Sequence, residues 1–396
     1  MSEKNRAHVI TNPMIAANRS AEVTLSKFLR VIRPCFDRIS VIGGNITLES
    51  DLKDIEVHSF RMERAGNKLK RALDIAGLQI KMALQVLRSV KGDERVFFWV
   101  GDKMIVPFMA AKLMRAEIYY FVYGNVAKEG RQNRFTHASA SLIQFMASHS
   151  DHICVESHSV RDEWDGRIAG KTKTIHLYTE DINFNSLEGR TNTIGMVCRL
   201  TEAKHVVESI KAFALLHEAF PDWKLEIIGS GKQQEECARA IHALNAAEYV
   251  RLLGWIERGR IREITRKWKY LLFPTDTEGL PNGLIEMMGQ GIPVIASPVG
   301  GIKDVVRNGQ NGWFLKGVSV PDIFGGMMEA LRAPDYISVA SAAHKRILAG
   351  YTLEAAERLA MRELSEGMVM DVGDLAMDCR GAAPLPGSAR ESKNPV

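Results

Sequence analysis

The sequence predicts an α/β fold made of two Rossmann-like, doubly wound domains that face each other across a cleft. Short runs of β-branched or aromatic residues alternate with longer amphipathic segments, and this alternation is typical of parallel sheets with helices on both faces. The alternation starts again after residue 190. The chain has 396 residues, and at about 150 residues per domain that length fits two or three domains. We therefore expect two such sheets in series.

The first sheet is predicted from seven short apolar runs. They indicate strands at His8–Thr11, Ile39–Ile42, Ile55–Phe60, Val96–Val100, Glu117–Val122, Asp151–Val155 and Thr174–Leu177. Amphipathic segments between them indicate helices at Ala21–Ile32, Asn67–Val90 and Ile105–Arg115. The alternation of strand and helix favours a mostly parallel sheet.

The second sheet is predicted from the same pattern after residue 190. Strands are expected at Thr193–Val197, Lys224–Ile228, Val250–Leu252, Tyr270–Phe273, Pro293–Ala296 and Gly312–Leu315. Helices are expected at His205–Ala219, Gln233–Leu244, Ile261–Trp268, Gly283–Gly289 and Tyr351–Glu366. Two such sheets leave a cleft between the carboxyl ends of their strands, where proteins of this fold class bind ligands.

Composition narrows the class of protein. With 46% hydrophobic and 25% charged residues, the chain is typical of soluble globular proteins and not of disordered ones. Its five cysteines are odd in number and never in C-x-x-C spacing, which predicts reduced thiols and no zinc site. The chain has no run of about 18 apolar residues that would predict a spanning helix, and no apolar region of a signal peptide at its start. We therefore expect a cytoplasmic protein.

The net charge of +5 is unevenly distributed. Residues 1–150 carry 23 basic and 14 acidic side chains, a net +9, whereas the remainder carries 29 and 33, a net −4. A basic first half favours an anionic partner such as a membrane or an acidic substrate, although a merely solvated surface explains the same bias. No nucleic-acid recognition motif accompanies the charge. The segment Asn67–Lys91 is amphipathic and cationic, as in an interfacial membrane helix or a domain helix packed on the sheet.

The stretch Phe273–Leu315 carries the most chemical information. Strand Tyr270–Phe273 leads into a loop of small and polar residues, and a helix begins after Asn282. Free backbone N–H groups and the positive end of the helix dipole make such a junction a site for anions and sugars. Glu278 lies in the loop and Glu286 on the helix, eight positions apart. These two carboxylates can meet the hydroxyls of a ribose or a hexose.

Five segments in this region together resemble a known family. They are Glu278–Asn282, Glu286, Gly291–Ala296, Val299–Ile302 and Asn308–Gly312. In this order they look like the C-terminal domain of GT-B fold glycosyltransferases of family 4, which are retaining enzymes that use nucleotide-sugar donors. The resemblance implies a GT-B fold, with the donor on the second domain and the acceptor entering from the first.

The resemblance extends upstream to Ile194–Leu200 and Lys204, which are similar to the family's strand and the Arg and Lys that follow it. It implies that Arg199 and Lys204 hold the donor diphosphate and stabilise its charge as the glycosidic bond breaks. Cys198 and His205 stand where the family usually has glycine. Both departures can alter the geometry of the loop.

Two further segments match the family. Ile227–Gly231 is similar to its next strand and glycine turn; a dinucleotide-binding interpretation is weak, because Gln234 occupies the third glycine position of G-x-G-x-x-G. Gly254–Ile256 is similar to the segment that passes the nucleobase. A core tryptophan after a strand is an equally good explanation of that segment.

The first half resembles the family only in outline, at Ser150–Ser157 and Lys173–Leu177. The usual Gly-Gly after the first strand is replaced by Ala16–Asn18, and the usual His after the fifth strand by Tyr123–Asn125. Tyr351–Glu366 looks like the family's helix that crosses back to the first domain.

Four segments of the chain are predicted. Residues 1–187 form an acceptor-binding Rossmann-like domain, 188–345 a nucleotide-sugar-binding one, 346–370 the crossing helix and 371–396 a disordered tail. The tail is rich in Gly, Pro, Ser and charge, a composition that buries too little apolar surface to fold. The linker between the domains is expected near Asn183–Thr191.

The resemblance assigns roles to ten residues. The expected catalytic residues are Arg199, Lys204 and Glu278. The expected donor-binding residues are Gly229, Ile256, Gly279, Leu280, Pro281, Asn282 and Glu286. No cofactor is expected besides the donor substrate, with UDP-sugars favoured over GDP-sugars by prevalence. The chain has no D-x-D triplet, which predicts metal independence.

The expected function is transfer of a hexosyl group from a nucleotide sugar to a glycan or lipid-linked acceptor, in cell-surface polysaccharide or glycolipid synthesis. The expected partners are the donor, the acceptor and an anionic membrane, contacted peripherally at the inner face of the plasma membrane; nucleic acid is not expected. Two alternatives stay open, a nucleotide-sugar epimerase of the same fold and a non-catalytic sugar-binding subunit. Product analysis separates them, because a transferase needs an acceptor and releases nucleoside diphosphate.

Overall fold

The computed structural model of the chain describes residues 6–14, 19–63, 67–101, 103–122, 134–165, 171–184 and 187–365. Over these residues it contains two parallel β-sheets covered by helices. The predicted α/β class with two Rossmann-like domains is confirmed. The predicted disordered tail at 371–396 lies outside the described residues.

The strands of the first sheet are β1 (Arg6–Thr11), β2 (Arg38–Gly44), β3 (Glu56–Phe60), β4 (Arg95–Trp99), β5 (Glu117–Phe121), β6 (His152–Val155) and β7 (Thr172–Thr174). They run parallel in the order β3-β2-β1-β4-β5-β6-β7. Val9 pairs with Val41 on one side and with Phe97 on the other. The first strand of the chain is therefore an interior one, and all carboxyl ends share one edge.

Helices cover both faces of this sheet: α1 (Arg19–Ile32), α2 (Lys68–Ser89), α3 (Ile105–Leu113), α4 (Arg134–His149) and α5 (His158–Asp165). Successive residues of a strand point to opposite faces, and two neighbours in β4 show this. Phe97 belongs to one apolar core with Phe28 of α1, while Phe98 belongs to another with Phe108 of α3. The first sheet is thus buried on both faces, as parallel sheets are.

The strands of the second sheet are β8 (Thr193–Val197), β9 (Lys224–Ile228), β10 (Val250–Gly254), β11 (Tyr270–Phe273), β12 (Val294–Ala296) and β13 (Gly312–Phe314). They run parallel in the order β10-β9-β8-β11-β12-β13. The winding of the chain reverses between β8 and β11. Such a switch point is where open α/β sheets bind ligands, outside the carboxyl ends of the strands.

The helices of the second half are α6 (Val206–Ala219), α7 (Gln234–Ala243), α8 (Arg258–Thr265), α9 (Asn282–Gly289), α10 (Ile302–Val305), α11 (Val320–Arg332) and α12 (Tyr336–Gly350). The sequence prediction missed α10, α11 and α12. Yet Ser319 Oγ accepts from the Asp322 N–H, and the Asp335 carboxylate accepts from the Ser338 N–H. Both are N-cap signals that the sequence contains.

The last described helix, α13 (Leu353–Leu364), returns to the first sheet. Glu363 on it forms an ion pair with Arg161 of α5 at 3.3 Å. The side chains that enter the core beneath α1 are Ala356, Ala360 and Leu364. The C-terminal helix therefore packs on the first domain, although it follows the second in sequence.

The end of the first sheet differs from the prediction. β7 is Thr172–Thr174 and not the predicted Thr174–Leu177. Its neighbour β6 ends at Val155, and the pairing of the two strands ends there. Leu177 is instead buried by side-chain packing in the core beneath α1. Its apolar side chain therefore indicated burial in that core and not pairing in a strand.

The helix before β11 also differs from the prediction. α8 is Arg258–Thr265 and not Ile261–Trp268. Trp268 is fully buried just after the helix, and its indole N–H donates to Glu226 Oε2 at 2.8 Å. It fills the space beside Gly195, where an added Cβ would overlap the ring. The tryptophan is a core anchor that follows the helix.

Candidate functional site

The loops that follow β8 and β11 meet at the switch point of the second sheet. Lys204, in a short 3-10 turn at Glu202–Lys204, forms an ion pair with Glu278 from the loop after β11. Lys204 Nζ also donates to Thr275 Oγ1 at 3.1 Å and lies 5.1 Å from the centre of the Phe273 ring. The Lys204 and Glu278 side chains are 16% and 18% exposed. Their attraction is therefore stronger than that of a pair in open water.

Arg199 lies on the same loop as Lys204, two residues past the end of β8, and it is exposed. None of the ion pairs among the described residues involves Arg199. The structure thus brings Lys204 and Glu278 together and leaves the guanidinium of Arg199 accessible to an anion.

His205 follows Lys204 in the left-handed backbone conformation, with φ +47°. Glycine adopts this region without strain, whereas residues with a Cβ rarely do. His205 Nε2 donates to Asp276 Oδ1 at 2.7 Å, which ties the loop after β8 to the loop after β11. Histidine at this position therefore keeps the turn that starts α6, and its side chain adds a hydrogen bond between the two site loops.

Gly229, just past the end of β9, has φ +140°, and an added Cβ would overlap the carbonyl oxygen of Cys198. The turn after β9 is therefore packed directly on the loop that carries Arg199. Burial raises the pKa of the Cys198 thiol to about 12. Cys198 stays protonated at neutral pH and is a packing side chain, not a nucleophile.

The loop Glu278–Asn282 is held by two glycines from the loop after β12. Gly300 has φ +47°, and an added Cβ there would overlap the carbonyl oxygen of Glu278. The Gly301 N–H donates to the carbonyl oxygen of Gly279 at 2.6 Å. This close approach of two backbones fixes Glu278 opposite Lys204, and a larger residue does not fit at either glycine without moving the loop.

The same loop leads into α9, and the first turn of that helix is open. Pro281 occupies the N-cap position and makes no side-chain hydrogen bond there. Asn282 Oδ1 is buried and has no hydrogen-bond partner among the described residues. Helix N–H groups without partners donate to anionic or hydroxyl oxygens. A buried amide oxygen needs a hydrogen-bond donor. A ligand that offers both oxygens and hydroxyl groups satisfies this end of the helix.

Glu156 of the first domain reaches this loop. It directly follows β6, it is buried, and its Oε2 accepts a hydrogen bond from the Leu280 N–H at 3.4 Å. Burial raises the pKa of the Glu156 carboxyl to about 7; the Leu280 hydrogen bond opposes the rise, and the charge of Glu278 adds to it. Sequence reasoning missed Glu156. A polar residue at the carboxyl end of a buried strand is the signal that would have found it.

Glu156→Gln is expected to stabilise the protein above neutral pH. Because the pKa is raised from 4.5 to about 7, the folded protein keeps a proton that the unfolded chain loses in that window. The wild type therefore loses stability as the pH rises through it. Glutamine keeps an oxygen for the Leu280 N–H and carries no charge, so the expected gain above the window is about 3 kcal/mol.

Urea unfolding at about pH 5 and about pH 8 checks this expectation. Glu263→Gln, at an exposed position of α8, is the matched control and is expected to behave as the wild type at both pH values. The same stability difference between Glu156→Gln and the wild type at both pH values would contradict the assignment of the titration to Glu156.

Glu286 lies on α9 and contacts the first domain. It forms an ion pair with Arg258 of α8, and Lys27 Nζ of α1 lies 3.7 Å from Glu286 Oε1. Lys27 is buried, its pKa is lowered by that burial, and it donates to the carbonyl oxygen of Tyr178 at 3.0 Å. Sequence reasoning missed Lys27, since nothing local distinguishes it. Glu286 and Glu278 have different basic partners.

The segment before α8 places Ile256 half-buried against the core that contains Leu284 of α9. Its neighbour Trp255 is 72% exposed. Trp255 is therefore not a core tryptophan, and its open ring face can stack on a planar ligand. Gly254, at φ +71°, makes the turn between β10 and this segment.

A further contact between the two domains lies at α5. The Asp304 carboxylate accepts from the Ser159 N–H at 3.1 Å and also from the Ser159 hydroxyl. A residue of the second domain thus caps a helix of the first. Together with the contacts of Glu156 and Lys27, this makes the candidate site a composite of both domains.

The substituted family positions in the first half, Ala16–Asn18 and Tyr123–Asn125, lie outside the described residues. Within the described ranges, no three His, Cys, Asp or Glu side chains converge in a way that could hold a metal ion. Metal independence stays a prediction. In the same ranges, no helix combines the length and the apolarity needed to cross a membrane.

Comparison with known proteins points to one family. Residues 178–345 match the family model Glycosyl transferases group 1. An uncharacterized glycosyltransferase of Haemophilus influenzae is 27% identical over 305 residues, which cover 74% of this chain and 81% of that protein. The matched family segment contains every predicted site residue, from Arg199 to Glu286.

Two solved structures share the whole architecture. Anabaena HepE in complex with UDP and glucose superposes with a TM-score of 0.71 at 16% identity, over 91% of this chain and 99% of that one. S. aureus TarM in complex with Fondaparinux, alpha-GlcNAc-glycerol and UDP gives a TM-score of 0.69 at 11% identity, over 90% and 99%. Identities this low show the fold alone. The chain therefore has the GT-B fold, and its residues 178–345 match the model of the glycosyl transferases group 1 family.

Proposed function

We propose that the protein is a retaining glycosyltransferase. It moves a hexosyl group from a nucleoside-diphosphate sugar to a glycan or lipid-linked acceptor, in cell-surface polysaccharide or glycolipid synthesis. The observation that carries the proposal is the shielded Lys204–Glu278 pair beside the open N-terminus of α9. A cation that is shielded from water binds a diphosphate, and a carboxylate next to free N–H groups binds the hydroxyls of a sugar.

Each predicted residue has a part in this scheme. Lys204 and the exposed Arg199 bind the diphosphate. Glu278 and the backbone N–H groups of Gly279 and Asn282 orient the sugar, whose hydroxyls donate to the unpaired Asn282 oxygen. Glu286 binds the ribose hydroxyls, while Gly229 and Ile256 border the nucleoside.

The transfer step breaks the bond between the anomeric carbon and the bridging phosphate oxygen of the donor. A bond between the anomeric carbon and an acceptor hydroxyl oxygen forms on the same face. The electron pair of the broken bond stays on the phosphate oxygen, which takes the hydroxyl proton. Lys204 stabilises the negative charge that develops on the diphosphate. Nucleoside diphosphate and glycosylated acceptor are the products, and no metal ion is required.

First-domain contacts close the site over the donor. Glu156 meets the Leu280 N–H, and Lys27 lies beside Glu286. These contacts exclude water from the loop that orients the sugar, which limits hydrolysis of the donor. The acceptor enters from the first domain. The protein works in the cytoplasm, at the inner face of the plasma membrane.

UDP is the nucleotide that we expect to bind. HepE and TarM, which share the fold, were crystallised with UDP. A ligand that binds only the folded state raises the free energy of unfolding by about 2.7 kcal/mol at 100 times its Kd, which shifts Tm by several degrees. A thermal-shift titration with UDP and GDP measures this, and no shift with either nucleotide would count against the donor site.

Glu286→Ala is expected to weaken UDP binding about tenfold or more, because two ribose hydroxyls lose a charged acceptor. Glu329→Ala, at an exposed position of α11, is the matched control and is expected to bind UDP as the wild type does. Equal Kd values for Glu286→Ala and the wild type would remove Glu286 from the donor site. UDP binding without any UDP release from UDP-sugars, with or without acceptor, would favour the sugar-binding subunit over the enzyme.

A further inference from the structure

α2 carries two apolar faces, and the first domain covers only one of them. Leu78, Met82 and Val86 are buried in the core shared with Phe108 of α3. Packing on the sheet fully explains this face. A second set of large apolar side chains stays exposed on the same helix: Leu69, Leu73, Ile80, Leu84 and Leu87.

These exposed side chains form a narrow row. At about 100° per residue they fall within about 60° of the helix circumference, opposite the buried face. α3 lies alongside, since the Val106 N–H donates to Gln79 Oε1 at 3.1 Å. It adds three more exposed side chains: Val106, Met109 and Leu113. We call these eight residues of α2 and α3 the apolar stripe; exposed apolar side chains grouped on neighbouring helices are typical of an interaction site.

Basic side chains border the apolar stripe. Lys70, Lys81 and Arg88 are exposed, and by helix geometry they fall within about 60° beyond one of its edges. None of the ion pairs among the described residues involves them. Cations along an apolar row are the pattern of a helix that lies in the interface of an anionic bilayer. A symmetric dimer through the same stripe would bring two cationic rows together, and their repulsion disfavours a second copy of the chain as the partner of this surface.

The apolar stripe begins at the edge of the sheet from which ligands enter. α2 joins the parallel strands β3 and β4, so it runs antiparallel to them and starts near their carboxyl ends. Leu78 lies against Gly44 at the carboxyl end of β2, where an added Cβ would be 3.1 Å from Leu78 Cδ2. Leu69 and Leu73, 68% and 65% exposed, precede Leu78 and therefore lie nearest the cleft.

We propose that the apolar stripe and its cationic border dock the first domain on an anionic lipid bilayer. The apolar side chains enter the interfacial region, and the Lys and Arg side chains bind headgroup phosphates. This placement turns the acceptor side of the cleft toward the lipid. Docking rests on the proposed function only in one respect, namely that a lipid-linked acceptor makes a lipid surface useful to the protein. Binding to the bilayer itself requires no sugar transfer.

Co-sedimentation of the full chain with vesicles tests the proposal. One set is phosphatidylcholine alone, and the other contains about 30 mol % phosphatidylglycerol. The wild type is expected to bind the anionic vesicles and to bind the neutral ones far more weakly. The double variant Leu69→Asp/Leu73→Asp is expected to lose affinity about a hundredfold or more. Lys81→Gln/Arg88→Gln is expected to lose about thirtyfold, on anionic vesicles only.

The matched control is Ile337→Asp on α12, since Ile337 is 66% exposed and Leu73 65%; its binding is expected to be unchanged. The UDP-induced thermal shift of every variant separates loss of docking from loss of folding or of the donor site. Equal binding of the wild type to both vesicle types, or unchanged binding of Leu69→Asp/Leu73→Asp, would overturn the proposal. The proposal would also be overturned if the wild type bound neither vesicle type and instead formed a dimer that Leu69→Asp/Leu73→Asp dissociates in sedimentation velocity.

Discussion

Lys204→Ala is expected to lower the rate of sugar transfer by about 10²–10³-fold. The variant removes the cation that faces the developing charge on the diphosphate. It also leaves Glu278 without its ion-pair partner at a position that is only 18% exposed, so the carboxylate loses the contact that orients it. Release of UDP from a panel of UDP-sugars, with and without acceptor, measures the effect.

The matched control for this variant is Lys211→Ala. Lys211 is an exposed lysine of α6, on the helix that starts two residues after Lys204. Its removal changes the net charge of the domain equally but leaves the ion pair with Glu278 in place, and the rate is expected to stay near that of the wild type. A Lys204→Ala rate within about twofold of the wild type would remove Lys204 from the chemistry.

Gly300→Ala is expected to weaken donor binding strongly by displacing the backbone of the loop Glu278–Asn282. An added Cβ overlaps the carbonyl oxygen of Glu278, and Gly300 is in the left-handed region at φ +47°. Backbone strain and overpacking together are expected to lower the free energy of unfolding by about 2–4 kcal/mol. The loop must also move away from Lys204, so we expect the Kd for UDP to rise about a hundredfold.

Gly325→Ala on α11 is the matched control for this substitution. Nothing lies within 4 Å of an added Cβ at Gly325, so the same chemical change is expected to stabilise the helix by about 0.5–1 kcal/mol. Urea unfolding and UDP titration are measured on both variants. A Gly300→Ala protein with wild-type stability and UDP affinity would show that the loop tolerates displacement and that the glycine contact does not set the site.

The candidate site was predictable from the sequence where its residues share a short segment. Lys204 lies seven residues after the end of β8, and Glu278 five residues after the end of β11. Such loops follow strands, and the carboxyl ends of parallel strands meet at one edge. The ion pair itself and the exposure of Arg199 were not predictable, because they depend on how two loops pack.

The fold was predictable wherever the pattern of apolar residues along the sequence reflects the pairing of strands in a sheet. Three strands of the second sheet, β8, β9 and β11, coincide with the predicted ranges. β7 was misplaced because Leu177 is apolar for a different reason, packing under α1. α11 was missed although Ser319 caps it; Gly325 lies in its middle, and glycine weakens a helical pattern.

By itself the sequence determined the two sheets, the loops after β8 and β11, and the charges that those loops carry. Periodicity, turn residues and caps act over a few positions, so a single chain displays them directly. Only the tertiary structure decided that Glu156 meets Leu280, that Lys27 lies beside Glu286, and that Leu73 stays exposed while Leu78 is buried. The first two contacts join residues at least 124 positions apart, and the last depends on which face of α2 the sheet covers. Such choices follow from packing between elements, which no local pattern contains.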